Sequence, residues 1–74
     1  MPETIDTTGL RCPLPVLRAR KALKAVTAGD TLLVLATDPA AVGDFQAFCA
    51  ETGHRFVDWS QDGEVFHITV QKAG

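Results

Sequence analysis

Apolar residues recur every second position near both ends of the chain and every third or fourth in two internal stretches, and this change of period divides it into strands and helices. Ile5 and Thr7 alternate with Thr4, Asp6 and Thr8, which predicts a short strand at or near a sheet edge. From Pro13 to Val26 the residues Val16, Ala19, Ala22, Leu23 and Val26 form one stripe at helical spacing, with the basic residues mostly opposite. Thr31 to Ala36 is almost continuously apolar, as expected of a central strand buried on much of both faces. A second helix, Ala40 to Thr52, carries Ala41, Phe45, Phe48, Cys49 and Thr52 on one face and closes at Gly53 as its C′ residue. Arg55 to Ser60 and Val65 to Gln71 are strands joined through Gln61-Asp62-Gly63-Glu64, where Asp-Gly is a hairpin signal. Trp59 and the four phenylalanines are expected to supply much of the core.

Turn residues set the connections between these elements. Gly9 permits a tight turn before the first helix, and Pro13 and Pro15 suit a first helical turn, whose N–H groups have no intrahelical partner. Gly29 falls where the first helix should end, at C′. Strand, helix and strand in succession imply a right-handed crossover with the first two strands parallel. Both helix N-termini then open on one sheet edge, and Asp38, an N-cap with Pro39 at N1 of the second helix, should lie near Cys12. The expected fold is an α/β two-layer sandwich of order β-α-β-α-β-β, a four-stranded mixed sheet with both helices on one face.

Composition narrows the function. Seventy-four residues at 46% hydrophobic content suffice for one core, so residues 1–74 are expected to form a single domain. The net charge of −2 conceals an asymmetry: Arg11, Arg18, Arg20, Lys21 and Lys24 are five of the seven basic residues, and no Asp or Glu occurs from Thr7 through Gly29. Such a patch attracts an acidic protein surface; without interleaved aromatics it makes a poor RNA footprint, so direct nucleic-acid binding is not expected. No apolar run has membrane-spanning length and the N-terminus has no leader pattern, so a cytoplasmic protein without a membrane partner is expected. Two cysteines at no metal spacing predict neither a metal nor another cofactor.

The candidate chemistry lies in Gly9-Leu10-Arg11-Cys12-Pro13-Leu14-Pro15. The prolines place Cys12 at or near a helix N-cap, facing the positive end of the dipole and unpaired N–H groups such as that of Leu14, with Arg11 acting in the same direction. A terminus lowers a thiol pKa by roughly 0.2–1.5 units, which brings an ordinary cysteine to about half ionisation at best. The same position also suits a cysteine of purely structural use. Pro15 stands where a thioredoxin-like Cys-x-x-Cys site needs its second thiol, and His54 and His67 are remote in the pattern, so dithiol cycling and hydrolase chemistry are set aside. Cys49 reads as a small buried hydrophobe. What remains is one accessible thiol beside a charged face, on which Leu17 stands among Arg20, Lys21 and Lys24.

The Gly9-to-Pro15 segment, the basic helix after it, Asp38-Pro39 and Phe48-Cys49 resemble the TusA/SirA-like sulfur carrier family, over about Ile5 to Lys72. The resemblance implies that Cys12 is the nucleophile that carries sulfur as a persulfide. It further implies that Gly9, Arg11, Pro13 and Pro15 support the motif, and that the donor is a cysteine desulfurase or rhodanese. The acceptor would be a sulfurtransferase serving tRNA thiolation, cofactor biosynthesis or sulfur oxidation. The helical wheel and the shared sheet edge suggest Leu17, Arg20, Lys21, Lys24 and Asp38 as the docking surface. A protein-interaction domain of the same fold without sulfur transfer is the competing reading.

Overall fold

The computed structural model describes residues 3–74. In chain order the elements are β1 (Glu3–Thr7), α1 (Leu14–Leu23), β2 (Thr31–Ala36), α2 (Ala41–Thr52), β3 (Arg55–Asp62) and β4 (Val65–Gln71). The strands form one sheet in the order β1-β2-β4-β3. β1 runs parallel to β2, and β4 pairs antiparallel with both β2 and β3. The β-α-β-α-β-β order, the mixed sheet and the edge position of the first strand are therefore as expected, with β1 one residue earlier than the alternation suggested.

The register aligns Leu32 with Val70, Val34 with Ile68 and Ala36 with Phe66, which collects one face of the sheet. Leu32, Val34, Ile68 and Val70 on that face are fully buried against Ala19 and Leu23 of α1 and Ala41, Phe45, Phe48 and Cys49 of α2. Full burial of a side chain such as Phe45 contributes roughly 1.5–3 kcal/mol, and Phe45 meets Phe48 edge to face at 6.3 Å between centroids. β2 alternates half-buried and buried residues, so its second face is only partly covered and not buried as the apolar run suggested. Both helices lie on the other side. At the edge, the buried Thr7 hydroxyl donates to the Leu35 carbonyl at 2.6 Å, which satisfies a polar group inside the core.

Four local expectations are corrected. α1 ends at Leu23, three residues before the apolar stripe ends. The amides of Ala25 and Val26 bond three residues back, to the carbonyls of Ala22 and Leu23, so the chain tightens into turns while Val26 still reaches the core. Gly29 is thus not a helix cap. It turns the chain at φ +90° and donates its N–H to the Lys72 carbonyl, closing the sheet's far end. Thr52 is exposed, its hydroxyl donating to the Phe48 carbonyl.

Trp59 is the fourth: it is 46% exposed and contributes little to the core. A bulge at Val57 sets Phe56, Val57, Asp58 and Trp59 against Val70, Thr69 and Ile68, and so brings Trp59 opposite Ile68 on the core face. Its place on the outer strand leaves it tilted against Phe66 at 6.0 Å, with one side open to solvent. β3 also continues to Asp62, which shortens the hairpin loop to Gly63-Glu64, with Gly63 at φ +61°. A positive φ of that kind favours glycine.

Candidate functional site

Two strand-to-helix junctions open on the same sheet edge, and hydrogen bonds join them. At the first, Gly9 (φ +81°) turns the chain out of β1 and donates its N–H to the Thr37 hydroxyl at 2.9 Å. The Arg11 carbonyl then accepts the Leu14 N–H at 2.8 Å, and the Pro13 carbonyl accepts the Leu17 N–H as the first helical bond. The Cys12–Pro13 peptide is cis. Pro13 is the N-cap, without a side-chain cap, and Pro15 is buried within the first turn, where its missing N–H has no cost.

Cys12 therefore precedes the N-cap, and the Leu14 amide expected to face its sulfur is already bonded to Arg11. The helix end offers the thiol less than its place in the sequence suggested. The sulfur is exposed.

At the second junction, Asp38 lies three residues before α2 and is not its N-cap; the helix begins at Ala41 behind Ala40. Its Oδ1 accepts the Ala40 N–H at 3.0 Å and its carbonyl accepts the Ala41 N–H, so it organises the turn into α2. Its Oδ2 accepts the Cys12 N–H at 2.7 Å. One carboxylate thus fixes both junctions, and the predicted proximity of Asp38 to Cys12 holds. These two amides, with the Arg11 charge adding a smaller effect, hold the Asp38 carboxyl below the usual carboxylate range.

The electrostatics at the thiol reverse the sequence expectation. A side-chain hydrogen bond to Asp44, then desolvation, then the charges of Asp44 and Asp38 push the Cys12 pKa up. The Arg11 charge acts on Asp38 instead. Asp44, in the first turn of α2, is the residue that sequence reasoning missed. Parallel helix starts already implied that this turn neighbours Cys12; the face it presents to α1 was the missing datum.

Between the helices a groove of about 200 Å³ is lined by Cys12, Pro13, Val16, Arg20, Asp44, Ala47, Phe48 and Glu51. A separate open cleft of about 810 Å³ runs from Gly9, Leu10 and Arg11 past Asp38 to Glu64 and Phe66. Leu17 is 51% exposed, and Leu14, which the wheel did not single out, is 45% exposed one turn earlier. Arg20 and Lys21 are exposed on the same helix and Lys24 at its C-cap, with the Arg20 guanidinium 5.4 Å over the Phe48 ring. Asp38 is half-buried with both carboxylate oxygens engaged. Cys49 is buried in α2. His54 is occupied structurally, its Nδ1 accepting the Ala73 N–H at 3.0 Å and its ring packing on Phe48.

A two-layer α/β sandwich that presents one exposed thiol in the loop before its first helix and buries its other cysteine defines a small protein with a single accessible thiol. The chain belongs to the Sulfurtransferase TusA family, whose model matches residues 3–72, and this assigns it to sulfur transfer in general. It is 58% identical over 69 residues to a Neisseria meningitidis serogroup A protein named as a candidate sulfur carrier, covering 93% of each chain. It is 44% identical over 71 residues to the sulfur carrier protein TusA of Allochromatium vinosum, covering 96% of this chain and 93% of that one. The crystal structure of a SirA-like protein from Desulfitobacterium hafniense superposes with a TM-score of 0.83 at 30% identity, over 97% of this chain and 99% of that one.

Proposed function

We propose that Cys12 accepts sulfane sulfur as a persulfide and relays it to the thiol of an acceptor protein. The observation that carries this reading is the exposed Cys12 thiol on a backbone tied to the second junction by Asp38. In the first step the Cys12 sulfur attacks the terminal sulfur of the donor's persulfide; a new S–S bond forms, the donor's S–S bond breaks, and the donor leaves as its thiolate. In the second, the acceptor's thiolate attacks the terminal sulfur and Cys12 leaves in turn. Sulfur changes hands without a net oxidant, and one thiol suffices.

Residues 1–74 act as one cytoplasmic domain in this reading, a stoichiometric carrier between a cysteine desulfurase or rhodanese and an acceptor sulfurtransferase. The acceptor feeds tRNA thiolation, cofactor biosynthesis or sulfur oxidation. Gly9, Arg11, Pro13 and Pro15 shape the loop, and Leu17, Arg20, Lys21, Lys24 and Asp38 meet the partner.

Intact mass tests this directly. Exposure to a cysteine desulfurase with cysteine, or to a small persulfide, should add about 32 Da that reductant removes and that the Cys12→Ser variant never acquires. No gain in folded, reduced protein would leave a protein-interaction domain as the function.

A further inference from the structure

The groove between α1 and α2 holds an acid that the relay as described does not use. Cys12 and Asp44 line it together, one from the loop before α1 and the other from the first turn of α2. The charged groups around the thiol are Asp44 and Glu51 of α2, Arg20 of α1, Arg11 of the loop, and Asp38 of the second junction. Their contributions differ. Arg20 is drawn over the Phe48 ring, and Arg11 acts on Asp38. Asp38 has both oxygens committed to backbone amides, which leaves Asp44, lining the same groove as Cys12, as the carboxylate that acts most strongly on the thiol.

We propose that Asp44 is a positioning residue that keeps the proton on Cys12, holding the free carrier as a thiol and the loaded carrier as a neutral persulfide. The inference rests on the carrier reading and deepens it.

Two consequences follow from thiol chemistry. Thiolate is the form that alkylating agents and oxidants attack, so a proton held at Sγ guards the empty carrier between partners. A persulfide is more acidic than its parent thiol and would ionise at neutral pH. An anionic terminal sulfur repels an incoming thiolate. Carboxylates beside it oppose that ionisation, so the terminal sulfur remains an electrophile. The discharge balances as follows: the acceptor thiolate bonds to the terminal sulfur, which keeps its hydrogen, the Cys12 S–S bond breaks, and Sγ takes its electron pair and then a solvent proton.

Asp44→Asn keeps the shape of the side chain and removes its charge. Removing that charge lowers the Cys12 pKa and raises the thiolate fraction at pH 7. Lower basicity also costs nucleophilicity, so the expected rise in the iodoacetamide rate is about threefold. The expected pH profile of alkylation moves to lower pH in Asp44→Asn and is restored in Asp44→Glu. Discharge of the preloaded persulfide to a small thiol, read as loss of about 32 Da, should be slower from Asp44→Asn than from the wild type. Superimposable alkylation profiles would overturn the proposal, as would equal or faster discharge from the variant. A wild-type protein that acquires no sulfur would sink the carrier reading instead, while the alkylation profiles would still decide whether Asp44 holds the Cys12 proton.

Discussion

The two cysteines share a raised pKa and differ in everything that produces it. Cys12 is exposed before α1, and its thiol is pushed up chiefly by the Asp44 carboxylate. Cys49 is 5% exposed within α2, and burial alone pushes it up. A high thiol pKa therefore does not distinguish the cysteine proposed to carry sulfur from the buried one. Access does, together with the kind of group that causes the shift: a carboxylate can be neutralised by a docking partner, whereas a core cannot be rewetted without opening the fold.

The largest expected effect tests access itself. Under native conditions iodoacetamide should modify Cys12 and leave Cys49 slower by about a thousandfold or more. Reaching Cys49 requires opening a core whose stability is on the order of 5 kcal/mol or above. Peptide mapping of partly alkylated protein measures the ratio, and comparable rates would place Cys49 at the surface.

A second contrast separates chemistry from packing. Cys49→Ser buries a hydroxyl where a weakly polar sulfur packed, at an expected cost of about 1–2 kcal/mol, or a Tm lower by about 5–15 °C in a domain of this size. Persulfide loading should survive in that variant. Cys12→Ser should do the reverse, with Tm within about 3 °C of the wild type and no loading. Differential scanning calorimetry and intact mass on the two variants read both halves, and a Cys49→Ser protein that is folded yet fails to load would assign the second thiol a chemical role.

The contrast between these sites also marks what the sequence could reveal. Cys49 lies on a helical stripe with Phe45 and Phe48, and its burial follows from periodicity alone. The mixed sheet, its parallel first pair and the meeting of Cys12 with Asp38 were legible because crossover handedness and turn residues are local rules. The charge environment of Cys12 was not. Whether a thiol loses or keeps its proton depends on which face of α2 turns toward α1, and Asp44 falls between the core positions Ala41 and Phe45, where the apolar stripe does not register it. Trp59 escaped for a similar reason: a one-residue bulge and an edge position lie outside a period-two pattern. The first helix is shorter than its apolar stripe because Val26 serves the core from a turn.

The smallest expected effect comes from Asp38, the group that supports the Cys12 loop without hydrogen bonding to its sulfur. Asp38→Ala removes the acceptor for two backbone amides, Ala40 and Cys12, and should lower Tm by about 5 °C near neutral pH. The sign with pH follows from the direction of its shift. Asp38 titrates below its ordinary value of 3.8, so its stabilisation is fully present above that value and is lost as pH falls through the depressed one. Wild type and variant should therefore converge in acid, below about pH 4. Asp6, held low by the Thr8 hydroxyl and amide, retains an acid-sensitive contribution in both proteins, so neither curve becomes flat. Thermal unfolding from pH 2 to 7 measures the gap, and a constant gap would mean that the cap acts by shape and not by charge. Because Asp38 is the last of the influences that raise the Cys12 pKa, its removal should quicken alkylation by less than Asp44→Asn does. The reverse order would make the shared capping carboxylate, and not the groove acid, the group that governs the thiol.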